Sequence, residues 1–363
     1  MIFLQSQYQR TRNTYLIAYC DDLAVVCLAK DERELMRKVN RTLNRIQTWL
    51  QNIKLEIAPE KTEAIMLSGR KKHGPLHFEI GEVIIEPKDS LKYLGVHFDK
   101  NLKFNVHLEK SGERAQKVMN DLKRILPRMG GAGEKKRRIL GTVVHSILLY
   151  AWEIWSNVLK YEKYKTKTAR IQRNVASAIH RGYRTVGVQS GRVIARVIPL
   201  ELQLEERASI QRGANKSDAR REILQRWQEQ WEEYSGSTWT KTLIRDVQSW
   251  FERQHGEVNY HLTQVLSGHG CFQHYLHAIK KAESPTCVQC HQEEDTVEHT
   301  LFRCPEWASQ RQRAEIKVNS PITPDTMIPI MLERENNWVC LTEWVTSVMK
   351  DKERQERERQ RAT

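Results

Sequence analysis

At 363 residues the chain is long enough to bury a sizeable core and to form two or more domains. Its 59 Lys and Arg exceed 45 Asp and Glu, and the resulting formal net charge of +14 favours a polyanionic partner, nucleic acid before a membrane surface. No stretch approaches the ~20 apolar residues of a membrane span and Met1-Ile2-Phe3-Leu4 is too short for a signal peptide, so a soluble intracellular protein without a membrane partner is expected. Seven cysteines, three of them clustered near one His, argue for a metal site in a reducing compartment and against a disulfide framework.

Two short apolar, β-prone runs, Thr14-Tyr15-Leu16-Ile17-Ala18 and Leu23-Ala24-Val25-Val26-Cys27-Leu28-Ala29, flank Tyr19-Cys20-Asp21-Asp22 in the pattern of a hairpin with an acidic tip. Adjacent aspartates repel unless solvated or neutralised, and hard oxygen ligands suit Mg²⁺ or Mn²⁺, which points to metal-assisted phosphoryl transfer. An isolated Asp-Asp is more often an ordinary turn, so the downstream segments decide between the two. Asp31 and Glu34 form a capping-box start, and Leu35, Val39, Leu43, Ile46 and Leu50 make one buried helical stripe. Leu55 to Leu67 holds a Pro59-Glu60-Lys61 turn leading into an apolar strand. Leu91 to Asp99 alternates like a strand with Gly95 in its interior, where close backbone approach is expected.

From Leu108 the period turns helical, with a stripe of Ala115, Val118, Leu122, Ile125 and Leu126 that stops near Pro127 and Gly130-Gly131. Glu134-Lys135-Lys136-Arg137-Arg138 opens the next helix, whose apolar run extends from Ile139 to Trp155; this basic turn suits contact with a nucleic-acid backbone. Residues 211–258 are polar and helix-prone, with Trp227, Trp231, Trp239 and Trp250 as packing residues. Cys287-Val288-Gln289-Cys290, followed by His299 and Cys304, supplies four ligands for tetrahedral Zn²⁺, with no open position and therefore a structural role. His291 is a less well-spaced alternative ligand, while Phe302 and Trp307 flank the site as candidates for core packing or base stacking. Lys350 to Arg361 has no apolar face and reads as a solvated helix or disordered tail.

Tyr19-Cys20-Asp21-Asp22 and its flanks resemble the Tyr-X-Asp-Asp box of reverse transcriptases, and the segments from about Leu16 to Trp307 resemble the Pol polyprotein of non-LTR (LINE-type) arthropod retrotransposons, closest to those inserting in ribosomal DNA. Cys20 and Ala18 stand where Ala and Gly are common, and both keep the side chain small. The resemblance implies an α+β chain with a partial palm (antiparallel sheet plus helix) at 1–104, a helical thumb and following helices at 105–210, a helical connector at 211–260, a zinc knuckle region at 261–310 and a charged tail at 311–363. It implies RNA-directed DNA polymerisation by two-metal nucleotidyl transfer, with Asp21 and Asp22 as metal ligands and Lys61 near the leaving pyrophosphate. Tyr19, Leu94 and Gly95 are implied at the primer and substrate, the last two in a primer-grip hairpin. The implied partners are an RNA template, a DNA primer, target DNA and deoxynucleoside triphosphates, with work in the nucleus at the site of integration. Too few residues precede Asp21 for the family's first metal-binding Asp, so a C-terminal fragment inactive by itself is expected, from a polyprotein that also carries an endonuclease. The rival reading is a non-catalytic zinc-knuckle protein that binds nucleic acid through its basic helices; a zinc-scaffolded interaction module is a third.

Overall fold

The computed structural model describes residues 13–68, 74–236 and 238–362; Met1-Ile2-Phe3-Leu4 lies outside them. The chain forms two compact units, 1–110 and 111–363.

In the first unit the acidic segment closes a hairpin of β1 (Thr14–Tyr19) and β2 (Asp22–Cys27), with Tyr19 opposite Asp22. The helix that follows, α1 (Glu32–Asn52), starts where Asp31 accepts a hydrogen bond from the Glu34 backbone N–H at 2.8 Å, and Glu34 reaches back to the Lys30 N–H at 3.1 Å, one residue earlier than a strict capping box. Its apolar stripe packs on the small sheet of β4 (Phe78–Ile80) and β5 (Val83–Ile85), where Met36, Val39 and Leu43 meet Phe78, Ile80 and Ile85. The short β3 (Ala64–Ile65) pairs in parallel with β6 (Pro87–Lys88). The segment 91–99, which alternates like one strand but is implied by the resemblance to hold a hairpin, folds as a hairpin of β7 (Ser90–Tyr93) and β8 (Val96–Asp99). Leu94 and Gly95 form its two-residue turn with φ of 45° and 81°, the left-handed pair that matches strand twist. Gly95 therefore marks the turn and not a close approach within a strand. The four sheets are each two-stranded, so the described part of the expected palm consists of three hairpins and one parallel pair together with α1.

The second unit is helical. It takes in most of α2 (Asn105–Ile125) and continues with α3 (Glu134–Leu148), the short α4 (Trp152–Trp155), α5 (Glu162–His180), α6 (Val188–Ala195), α7 (Leu200–Gln211) and α8 (Lys216–Glu233). Then come α9 (Thr238–Leu243), α10 (Val247–Glu252), α11 (Tyr260–Ser267), α12 (Gln273–Ala278), α13 (Ala308–Val318), α14 (Met327–Glu333) and α15 (Glu335–Ala362). Two stripes differ from expectation. On α2, Ala115 and Met119 are buried while Ile125 is exposed. The run from Ile139 to Trp155 is not one helix, because Ala151 takes a left-handed conformation (φ 50°) and breaks it, leaving Ile139 and Val143 outward and Val144, Leu148 and Trp155 inward. No single helix among the described residues is long and apolar enough to cross a membrane.

One core cluster runs through this unit from Val193 and Leu202 to Trp227, Trp231 and Trp250, then Leu262, Cys287, Cys304 and Trp307, and on to Trp338, Leu341 and Met349. It crosses the boundaries expected at 210, 260 and 310, so connector, knuckle and tail share a single interior. The end of the tail is helical, one of the two expected forms, but it is not solvated throughout. Lys352 is buried and Glu353 and Glu356 are hydrogen-bonded to α11 and α12, through Gln264 (2.8 Å) and Gln273 (2.9 Å). Periodicity could not see this because the buried face of α15 turns from apolar to charged near Lys352, and a paired charge fills an interior as an apolar side chain does.

Candidate functional site

Cys287, Cys290, His299 and Cys304 come together with their ligand atoms all within 4.8 Å of one another. Cys287 and Cys290 sit on one tight loop, in which the His291 N–H donates to the Cys287 carbonyl at 2.9 Å, while the exposed His291 side chain stands outside the cluster. His299 and Cys304 bracket a widened helical turn, His299–Arg303, closed by the Cys304 N–H donating to the His299 carbonyl at 2.7 Å. The Sγ atoms of Cys287 and Cys304 lie 4.0 Å apart, and Cys290 Sγ is 3.3 Å from His299 Nε2. A tetrahedron of ~2.3 Å Zn–S bonds has edges of about 3.8 Å, so the donor set and its spacing fit zinc. Burial pushes the Cys304 thiol up to about 12, with the Cys287 and Cys290 sulfurs adding to it. Burial also opposes ionisation of Cys290, but hydrogen bonds from the loop backbone outweigh it and leave that thiol at about 7. Three thiolates this close are tolerable only around a cation.

Sequence reasoning missed the surroundings of this site. Glu293 holds His299 Nδ1 at 3.0 Å, which leaves Nε2 for the metal. Asp295, fully buried, accepts from Lys352 Nζ at 2.8 and 2.7 Å, from Thr300 at 2.6 Å and from the Gln273 N–H at 2.8 Å. Gln289, between the first two cysteines, donates from its side-chain amide to Gln355 Oε1 at 3.0 Å. The acidic run Glu293-Glu294-Asp295 was the only available signal, and nothing in it separates the exposed members from the buried one. Trp307 is buried in the core and is withdrawn as a base-stacking residue; Phe302 packs near Trp239 and Trp344.

At the other end of the chain Asp21 and Asp22 are exposed at the β1–β2 tip, beside Cys20 in a left-handed conformation (φ 52°) and Tyr19, which is 59% exposed. The β7–β8 hairpin comes to them through Tyr93, whose hydroxyl donates to the Ile17 carbonyl at 3.5 Å; burial and then the nearby Asp22 charge push its pKa up. Two adjacent carboxylates suit Mg²⁺ or Mn²⁺, and among the described residues no third ligand side chain joins them. Lys61 ends an exposed turn, Pro59–Lys61, and its ammonium has no carboxylate partner among the described residues. Behind Leu94 and Gly95, Asp99 accepts backbone N–H bonds from Asn101, Lys103 and Phe104 at 3.1, 3.1 and 2.6 Å, which fixes the loop leading to α2.

The basic cluster divides. Lys135 and Lys136 are exposed, but Arg137 is buried, donating to the carbonyls of Ala132 (2.7 Å), Ala178 (2.8 Å) and Pro127. It is removed from the phosphate-contact set, because its charge is spent on carbonyls that would otherwise be left unpaired. Arg138 is half-buried, and burial followed by the Arg196 charge lowers its pKa.

Residues 1–98 match the family model described as reverse transcriptase (RNA-dependent DNA polymerase). The chain is 24% identical over 331 residues to a retrovirus-related Pol polyprotein from type-1 retrotransposable element R1 of Nasonia vitripennis, covering 83% of this chain and 80% of that one. A second R1 Pol polyprotein of that organism is 24% identical, over 90% of this chain and 93% of the relative. The R1 Pol polyprotein of Bradysia coprophila is 22% identical across 80% of this chain, which spans 31% of its length. No solved structure matches. With a reverse transcriptase segment at residues 1–98, the chain is similar over most of its length to the Pol polyproteins of insect type-1 retrotransposable elements R1.

Proposed function

We propose that the chain serves RNA-directed DNA synthesis by two-metal nucleotidyl transfer, in target-primed reverse transcription on an RNA template, a DNA primer and deoxynucleoside triphosphates, at a chromosomal site in the nucleus. The observation that carries the reading is the pair of exposed carboxylates at the β1–β2 tip with Tyr93 of the β7–β8 hairpin beside it. Asp21 and Asp22 hold Mg²⁺ or Mn²⁺, which supplies Lewis-acid stabilisation of the charge that develops on phosphate. Tyr19, Leu94 and Gly95 seat the primer end, and Lys61 offers a positive charge to the departing pyrophosphate. The thiolate-imidazole set at Cys287, Cys290, His299 and Cys304 takes structural Zn²⁺.

In a form of the protein with polymerase activity, Asp21→Asn lowers nucleotide incorporation by roughly a hundredfold or more, since a lost metal ligand removes several kcal/mol of transition-state stabilisation. Binding of template-primer persists. Undiminished incorporation by the Asn variant sinks the assignment and leaves the rival, a non-catalytic nucleic-acid-binding protein.

The phosphate contacts of α3 are tested by salt dependence. With Arg137 withdrawn, Lys135→Ala together with Lys136→Ala flattens the slope of log affinity against log salt for single-stranded RNA by ~1.4, two contacts at ~0.7 each. Arg137→Ala instead destabilises the fold, because three carbonyls lose their donor. An unaltered slope in the double Lys variant refutes the role of this turn.

A further inference from the structure

One side of helix α1 buries Leu35 and Ile46 and packs Met36, Val39 and Leu43 against β4 and β5, which leaves the other side to solvent. Along that open side Arg33, Arg37, Arg41 and Arg45 recur every four residues, all four exposed. None has a carboxylate partner among the described residues. The acids of α1, Glu32 and Glu34, both lie in its first turn, where they complement the helix dipole, and Glu34 is paired with Lys38 at 3.4 Å. Like charges four apart on a helix oppose its formation, so the row costs stability and nothing within the described fold repays it. Four residues of helix rise about 6 Å, which sets the guanidinium groups at a regular interval over roughly 18 Å of surface. At its C-terminal end the row enters a shallow groove lined by Arg41, Asn44, Arg45, Thr48, Asn52 and the half-buried Trp49.

We propose that this face of α1 is a second nucleic-acid site, in which the arginine row tracks the phosphates of a single strand and Trp49 receives an unpaired base. The guanidinium fork matches a phosphate in two-point hydrogen bonding, and a row of them gives a strand a track without reading its sequence. The groove adds what a plain solvated helix lacks: an aromatic face for stacking beside amide and hydroxyl groups able to reach base edges. No residue assigned to polymerisation lies on this face. The site rests on the reading above only in that the chain handles nucleic acid; it lets a second strand be held while template and primer occupy the other surface.

The test uses the full chain with fluorescent 20-mers of oligo(rU) and oligo(dT), titrated from about 50 to 300 mM salt. Replacing Arg37, Arg41 and Arg45 together by Gln is expected to flatten the log–log salt slope by ~2, three contacts at ~0.7 each, additively with the double Lys135/Lys136 replacement. The corresponding Lys replacements keep the slope, because they keep the charge. A 5-iodouridine-substituted strand is expected to crosslink to Trp49, and the Gln variant to lose that crosslink. Equal losses on both probes assign the site to phosphate alone, and a larger loss on oligo(rU) assigns it to RNA. A slope unchanged by the Gln replacements overturns the proposal, as does a crosslink mapping only to the second unit. Asp21→Asn separates this from the polymerase reading: it leaves the arginine-dependent slope of the full chain intact, while in a form of the protein with polymerase activity it lowers incorporation.

Discussion

Chelation of the metal is expected to unfold the helical unit, and elemental analysis of the untreated chain to find one zinc per molecule. Cys287 and Cys304 are fully buried within the core cluster that also holds Trp227, Trp231, Trp250, Trp307 and Trp338. Loss of the ion therefore leaves the three cysteines and the histidine without the cation that holds them together and takes away a binding energy of ~10 kcal/mol or more, comparable with the whole stability of a domain. Tryptophan emission should shift to the red in one step as chelator is added, and Cys304→Ser should reproduce the effect without chelator. Cys271→Ser is the control: its half-buried thiol, pushed up to about 12 by burial, stands outside the ligand group and should keep the zinc. A chain that retains its emission and helicity while metal-free rules the centre out.

The second large effect concerns Glu134, fully buried at the start of α3. Its carboxylate accepts from Arg196 at 3.1 Å, from Arg253 at 2.9 and 3.0 Å, and from the Val258 N–H at 2.6 Å. Arg253 is also stacked over the Trp250 ring at 4.1 Å. Removing the one anion strands two desolvated guanidinium groups, which costs about 3–5 kcal/mol out of a typical 5–15. Glu134→Gln is expected to lose most of this, since it keeps the shape and removes the charge, and urea titration measures it directly. Stability within about 1 kcal/mol of the parent shows that water reaches the pair. The neighbouring Glu257 is a milder case. It caps α3 by accepting from the Glu134 and Lys135 N–H groups at 3.0 and 3.2 Å, and it packs so close that a Cβ at Gly133 would stand 2.1 Å from its Oε2. Glu257→Ala should cost about 1 kcal/mol, whereas Gly133→Ala must displace the cap itself.

What was legible in the sequence was local. The acidic hairpin, the Asp31 cap and stripe of α1, and the four ligands of the metal centre each depend on residues a few positions apart, where spacing fixes geometry. The alternation around Leu94-Gly95 does not by itself show the turn, because a Gly inside an alternating run is the same pattern whether the strand passes straight through or doubles back; the hairpin is implied only by the resemblance, and the left-handed Leu94 is set by context, not by propensity. The Lys135–Arg138 turn was read as one patch, though helical geometry turns Arg137 inward between two lysines and Arg138. Charge alone does not distinguish a residue facing solvent from one satisfying buried carbonyls. The joining of connector, knuckle and tail into one interior rests on contacts between residues far apart in the chain, and no window of sequence contains them.

The bond between Asp295 and Lys352 spans 57 residues, and that between Glu134 and Arg253 spans 119. Such closures are reached late, because the entropy of joining distant segments must be met before either contact rewards it. During synthesis the four metal ligands emerge well before Lys352, so the loop that carries them waits with its Asp295 carboxylate unpaired until α15 is made. A chain released in that interval carries Cys287, Cys290, His299 and Cys304 but lacks the Lys352 ammonium that pairs the Asp295 carboxylate beside them. Translation through the charged end of α15 is thus a step in assembling the metal centre, and premature stop codons there should produce chains that aggregate through exposed thiols and tryptophans while still carrying an intact Asp21-Asp22 hairpin.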